Sequence, residues 1–168
     1  MRAGRTMEPL AAYTITMYKN RSQGFTLIEL LVVIAIIGVL SAVVLASLNT
    51  ARSKGNDAAI QSNLSTIQTQ AEIFYGGTGA NTYGTAGATN GCSEAGSLFV
   101  ADATIKKAVD AANAANGNGT VTCNNSTTAY AVQAQLLADN TKFWCVDSTG
   151  NAKQVGAAML AGAVECLP

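Results

Sequence analysis

Glu29 stands at the edge of Leu30 to Leu48, a run of nineteen residues without a charge or a proline. An ionisable side chain inside a membrane helix costs roughly 2.5–3.5 kcal/mol on insertion scales, so a segment that only had to anchor would not keep one. A buried positive charge beside the acid would offset that cost. A cut between Gly24 and Phe25 would supply such a charge, because Phe25 would then carry a free α-amine. Glu29 lies too close along its own helix to be that amine's ideal partner, but a neighbouring subunit's amine could reach it. Such an ion pair would act as a register pin between subunits.

Other chemistry is sparse. The chain has no histidine, which removes the commonest general base and the commonest metal ligand. Ser126 and Ser148 therefore have no imidazole to activate them, and Asp139 and Asp147 read as strand-flanking residues rather than an acid/base pair. Asp147-Ser-Thr-Gly-Asn151 offers several oxygens, but it lacks the acidic ladder and terminal Glu of a calcium loop and reads as turn chemistry. Asn124-Asn125-Ser126-Thr127 contains glycosylation-like sequons that read as plain loop residues. No catalytic residue, metal site or cofactor is expected. Cys92, Cys123, Cys145 and Cys166 include no C-x-x-C pair, and an even count in a small non-cytosolic domain reads as disulfides. Three pairings are open. Cys92–Cys123 and Cys145–Cys166 are favoured because each closes a loop of a few tens of residues within one region of the chain.

The elements that must position these groups begin with the apolar run. At about 1.5 Å per residue its nineteen residues span nearly 30 Å, the hydrocarbon thickness of a bilayer. It is longer than a usual signal-peptide core and is followed by no obvious cleavage site. Arg2, Arg5, Lys19 and Arg21 precede Phe25, placing the N-terminus in the cytoplasm and residues 50 onward outside, with Arg52 and Lys54 weakly opposed. From Arg52 onward six Lys/Arg face eight Asp/Glu, so the distal part is mildly acidic and builds no field for nucleic acid.

The stretch GFTLIELLVVIAIIG, from Gly24 to Gly38, resembles the class III signal of type IV pilins and of the pseudopilins of type II secretion. The resemblance is specific over residues 19 to about 50 and diffuse beyond about 75. It implies that a prepilin peptidase cuts after Gly24 and N-methylates Phe25, and it places the family's glutamate, fifth after the cut, at Glu29. It further implies self-assembly into a helical filament driven by an assembly ATPase and an inner-membrane platform protein. The precursor would sit in the inner membrane and the assembled filament at the cell surface or in the periplasm. Two departures stand out. Many members carry a proline about two turns after the glycine matched by Gly38, where this chain has Ala46. The leader, residues 1–24, is also long. A start at Met17 would leave the eight residues MYKNRSQG, so residues 1–16 are expected to be an over-called start.

Beyond the bilayer span, set at about residues 28–48, Ile60, Leu64, Ile67, Ala71 and Phe74 recur at steps of four and three. This seam predicts that one helix continues over residues 25–75 and packs on its own head rather than in a coiled coil. Residues 76–168 form that head. Its opening loop holds Cys92, with Tyr75 and Tyr83 as packing residues. A second helix from Ser97 to near Gly117 buries Leu98, Ala101, Ile105, Ala108 and Ala112 and leaves Lys106 and Lys107 solvated. Thr120 to Cys123 is a strand candidate. Tyr130, Val132, Ala134 and Leu136 alternate as a half-buried strand. Residues 142–155 read as strand, turn over Ser148 to Asn151, and strand. The class is α+β, a long N-terminal transmembrane and amphipathic helix packed on a small antiparallel sheet, which agrees with the lollipop the resemblance implies. A filament subunit is the leading expectation. A pseudopilin of a secretion or DNA-uptake machine is the alternative, a membrane-tethered adhesin or receptor module is third, and an enzyme is last.

Overall fold

The computed structural model describes residues 24–85, 91–117 and 119–167. The chain separates into two units, one ending at Ser41 and the other beginning at Ala42. A single helix, α1 (Leu27–Gly76), supplies all of the first unit's helical residues and the opening of the second. Its 50 residues are about 75 Å long at the standard helical rise. It starts two residues after Phe25 because Thr26 caps it, and it runs unbroken through Gly38 and Ala46.

In the second unit α1 is followed by α2 (Leu98–Ala101), α3 (Ala103–Ala115), β1 (Val121–Asn125), β2 (Tyr130–Gln135), β3 (Phe143–Asp147) and β4 (Ala152–Val155). The four strands form an antiparallel meander in sequence order, with Cys123 opposite Val132, Gln133 opposite Cys145 and Cys145 opposite Lys153. Short links between neighbouring strands produce this order without any crossover. The protein is α+β.

The seam of α1 packs against this head. Ile60, Leu64, Ile67 and Ala71 are wholly buried and Phe74 nearly so, in one cluster with Tyr130, Val132, Ala134 and Val146 of the sheet. Removing each large aliphatic side chain from water contributes about 2 kcal/mol. Two small helices close the cluster with Leu98, Phe99, Ile105, Ala108, Val109 and Ala112.

Three expectations are corrected here. The second helix is two helices, because Asp102 adopts an extended backbone and caps α3 through Oδ1, which accepts the Thr104 and Ile105 N–H groups at 2.8 and 2.9 Å. That break leaves Ala101 exposed at the end of α2, while Phe99 and Val109 take buried places. Strand β2 is not half-buried. Ala131 and Gln133 are buried as well, because the C-terminal strap from Gly156 onward covers the other face of the sheet. Asn124 and Asn125 are not loop residues. Both lie buried in β1, where Asn124 Nδ2 donates to the carbonyls of Leu160 and Ala163, and Asn125 Nδ2 to those of Tyr83 and Thr85. Neither asparagine is open to glycosylation in the folded head. The helix α3 ends as the sequence indicates, with Gly117 in the left-handed region just past the Asn116 cap.

Candidate functional site

The first unit presents Gly24, Phe25 and Glu29 at the start of α1. Phe25 is 83% exposed, and every large aliphatic side chain from Leu27 to Leu48 is exposed on all sides of the helix. A helix apolar all round has no face suited to water. Ser47 Oγ and Thr50 Oγ1 turn back along the helix and donate to the carbonyls of Val43 and Ala46 at 3.0 and 3.3 Å. That back-bonding satisfies hydroxyl groups in an apolar medium.

Glu29 is tied to Thr26. The Thr26 N–H and Oγ1 donate to Glu29 Oε2 at 2.8 and 2.7 Å, and the Glu29 N–H donates to Thr26 Oγ1 at 3.3 Å. This is a capping box, and it satisfies two backbone donors that a helix start leaves open. Reasoning from the acid alone misses Thr26, although the spacing Thr-x-x-Glu just before an apolar run is a visible signal for it.

In the head the cysteines pair as Cys92–Cys123 and Cys145–Cys166, with Cα atoms 4.9 and 5.8 Å apart. The first joins the loop after α1 to β1. The second ties the C-terminal strap to β3, and Cys145 and Cys166 pack there with Val155.

Asp147 is fully buried at the end of β3. Its Oδ1 accepts the Thr149 N–H, the Thr149 hydroxyl and the Asn151 N–H, and its Oδ2 accepts Asn151 Nδ2 and the Cys166 N–H. Five donors from the chain fill the roughly four lone-pair sites a carboxylate offers. Burial pushes the Asp147 carboxyl up, but the Cys166 N–H and the Thr149 and Asn151 donors outweigh it and hold it below the usual carboxylate range. The turn after β3 is thus closed on itself rather than open to a cation. Among the described residues no cluster of three His, Cys, Asp or Glu side chains is placed to hold a metal.

The serines and the other acid also serve the chain. Ser126 Oγ accepts the Thr128 and Ala129 N–H groups, and Ser148 Oγ accepts the Tyr130 N–H. Asp139 Oδ1 accepts the Thr141 N–H and hydroxyl. A cavity of about 250 Å³ under the strap, with Ala157, Met159, Leu160 and Ala163 in its wall, brings no acid/base pair together.

Helix α1 holds the head by polar contacts as well. Gln68 Nε2 donates to the carbonyls of Asp147 and Asn151, Gln70 Nε2 to Asp102 Oδ2, and the Tyr83 hydroxyl to Glu72 Oε1. Burial, then the Glu72 carboxylate, pushes the Tyr83 phenol up. Tyr75, Tyr83 and Tyr130 pack in series, the first pair tilted and the second edge-to-face, with centroid separations of 4.7 and 4.9 Å.

Residues 19–45 match the family model described as the prokaryotic N-terminal methylation motif. This motif is the class III signal of the type IV pilin and pseudopilin family. It supports a precursor of the type IV pilin-like or pseudopilin kind, anchored in a membrane by its apolar helix. No curated protein and no solved structure matches the chain.

Proposed function

We propose that the chain is a structural subunit of a type IV pilus-like filament. Prepilin peptidase removes residues 1–24, and Phe25 becomes the methylated first residue. The subunit waits in the inner membrane with residues 28–48 across the bilayer, then polymerises through its N-terminal helix and displays residues 76–168 outside. The assembly ATPase and the platform protein supply the work.

One observation carries the reading. The second half of α1 buries its seam in its own head, whereas the apolar side chains of its first half are exposed all round among the described residues and share that half with a single charge, the carboxylate of Glu29. Lipid satisfies such a surface in the precursor, and the same surface on other subunits satisfies it in a filament, by a head-to-tail contact that repeats without closing. Glu29 then meets the amine of a neighbour's Phe25.

The test is the mass and N-terminal sequence of the mature protein, together with fibre formation by Glu29→Ala. A chain beginning at methylated Phe25, and a variant that inserts but does not polymerise, are the expected results. A mature chain that retains residues 1–24, or normal polymers from Glu29→Ala, would overturn the reading. Secretion failure without fibres on deletion would assign the subunit to a pseudopilus instead.

A further inference from the structure

Arg52 and Lys54 are the first charges after the apolar run, on the side where the charge bias of the sequence disfavours them. Both are exposed, and the one ion pair among the described residues, Lys106–Asp110, involves neither. At the helical rise Arg52 stands about 6 Å and Lys54 about 9 Å beyond Leu48. The headgroup layer on one side of a bilayer is about 5–7 Å deep. Arg52 therefore falls in that layer and Lys54 just past its outer edge, from which a long cationic side chain reaches back.

A third cation is held near the same level. Strand β2 runs back along α1 from Gln68, whose carbonyl accepts the Tyr130 hydroxyl at 3.4 Å, to Asp57, which accepts the Leu137 and Ala138 N–H groups. The loop that follows is closed by the Leu136 N–H on the Lys142 carbonyl and the Lys142 N–H on the Asp139 carbonyl, at 2.9 and 3.0 Å. Asp57 thus fixes this loop, with Leu137 exposed and Lys142 half-buried, about 13 Å beyond Leu48. The acids at this end are engaged within the chain. Asp57 is buried on its two amides, and Asp139 Oδ1 accepts the Thr141 N–H and hydroxyl. Three cations and two acids lie here, which leaves three cations and six acids for the rest of the region from Arg52 onward. The membrane-side end is positive and the remainder acidic.

We propose that Arg52, Lys54 and Lys142 form a foot that seats the head on the phosphodiester anions of a lipid surface. The inference rests on the membrane-anchored precursor described above and needs no filament. Lipid is the occupant because the helix that bears the foot is the one that enters the apolar phase at Leu48, so the anchor holds a bilayer surface at high local concentration beneath it. Charge complementarity does the rest, since each Lys or Arg near an anionic surface favours contact about fivefold. The foot gives Arg52 and Lys54 a function on the side the charge bias disfavours, and withdrawal of the helix from the bilayer must break its contact.

The full-length chain is reconstituted in nanodiscs of phosphatidylcholine, alone or with increasing phosphatidylglycerol, each carrying the same share of lipid with a nitroxide on its headgroup. Broadening of the amide signals of Asp139 to Lys142 is read against that of Thr149 to Asn151, the turn beside Gln68 at the far end of β3. Loop broadening is expected to rise with phosphatidylglycerol and to fall back in 0.5 M salt, where the screening length shortens to about 4 Å. Arg52→Gln, Lys54→Gln and Lys142→Gln should each lower the docked-to-free ratio about fivefold. Lipid charge and salt are varied on the parent chain, so the test stands whichever variant folds. Equal loop broadening in phosphatidylcholine and phosphatidylglycerol discs, or a triple variant that behaves as the parent does, would overturn the foot and leave the anchored precursor standing. A chain that does not stay with the discs would instead remove the membrane reading beneath it.

Discussion

Asp57 on α1 accepts the N–H of Leu137 at 2.6 Å through Oδ1, and its Oδ2 accepts the N–H of Ala138 at 3.1 Å. An acid near the membrane-side end of the seam therefore clamps the loop that leaves β2, and it is only 8% exposed there. Asp57→Ala would leave two amides without partners in a half-buried place. Each hydrogen bond to a charged group is worth about 1.5–3 kcal/mol. A loss of about 3 kcal/mol in head stability is expected, read as a lower urea midpoint of the detergent-solubilised chain at unchanged slope. Asp57→Asn, which retains one good acceptor, should lose about half as much.

Asp147 predicts the acid limb of the stability curve. Its folded-state carboxyl lies below its ordinary value, and so does that of Asp102, where burial pushes up but the Ile105 N–H, Gln70 and the Thr104 N–H pull further down. A depressed carboxyl contributes stability that is fully present above its unfolded value, 3.8, and is lost as pH falls through the folded value. The melting temperature should hold steady at neutral and mildly acidic pH and fall once pH drops below about 4. Asp147→Asn should lower stability at neutral pH and flatten that acid limb. An acid limb as steep in this variant as in the parent would assign the effect to other carboxylates.

The Cys145–Cys166 bond closes a loop of 21 residues and holds the strap across β2 and β3. A bridge of that span contributes about 3 kcal/mol in the chain-entropy account. Cys145→Ala combined with Cys166→Ala should lower stability by about that amount. It should also speed amide exchange at Ala131 and Gln133, the β2 residues the strap covers. Non-reducing peptide mapping checks both pairings at once, since any peptide joining Cys92 to Cys145 or Cys166 would contradict them.

The fold was legible where one physical pattern repeated. Ile60 to Phe74 announces a seam because steps of three and four put apolar groups on one helix face, and the same steps carried back one place reach Asp57. An acid in that register reads as an interruption, although two backbone amides make it a buried clamp. Strand β2 reads as half-buried because Gln133 and Gln135 look like a wet face. What buries Gln133 is the strap, whose residues 156–167 carry no helical or strand period to announce it. The Gln133 side chain answers this burial by donating to the Ala157 carbonyl at 2.8 Å and accepting the Met159 N–H at 2.6 Å. Asn124 and Asn125 mislead in the same way, since polar side chains that bond to carbonyls 36 to 42 residues away are indistinguishable in sequence from loop residues. At the start of α1 the carboxylate was conspicuous and its local partner was not. The cost of a charge in lipid draws the eye to Glu29, whereas Thr26 matters only through hydrogen bonds.

Gly38 offers a last measurement, because α1 is continuous through it and a Cβ added there would meet no atom of the described residues within 4 Å beyond the helix's own neighbouring backbone. Steric room therefore does not call for glycine at this position within the chain. What glycine does is loosen the helix, by about 1 kcal/mol against alanine at an interior site. With Ala46 in place of a helix-breaking proline, Gly38 is the residue in this stretch with the weakest hold on the helix. Gly38→Ala should slow amide exchange around residues 36–42 by about fivefold in micelles, the factor that 1 kcal/mol represents, and leave exchange at Ile60 and Leu64 unchanged. Equal exchange rates in the two chains would mean that the surrounding apolar medium, rather than residue type, sets the opening of this segment.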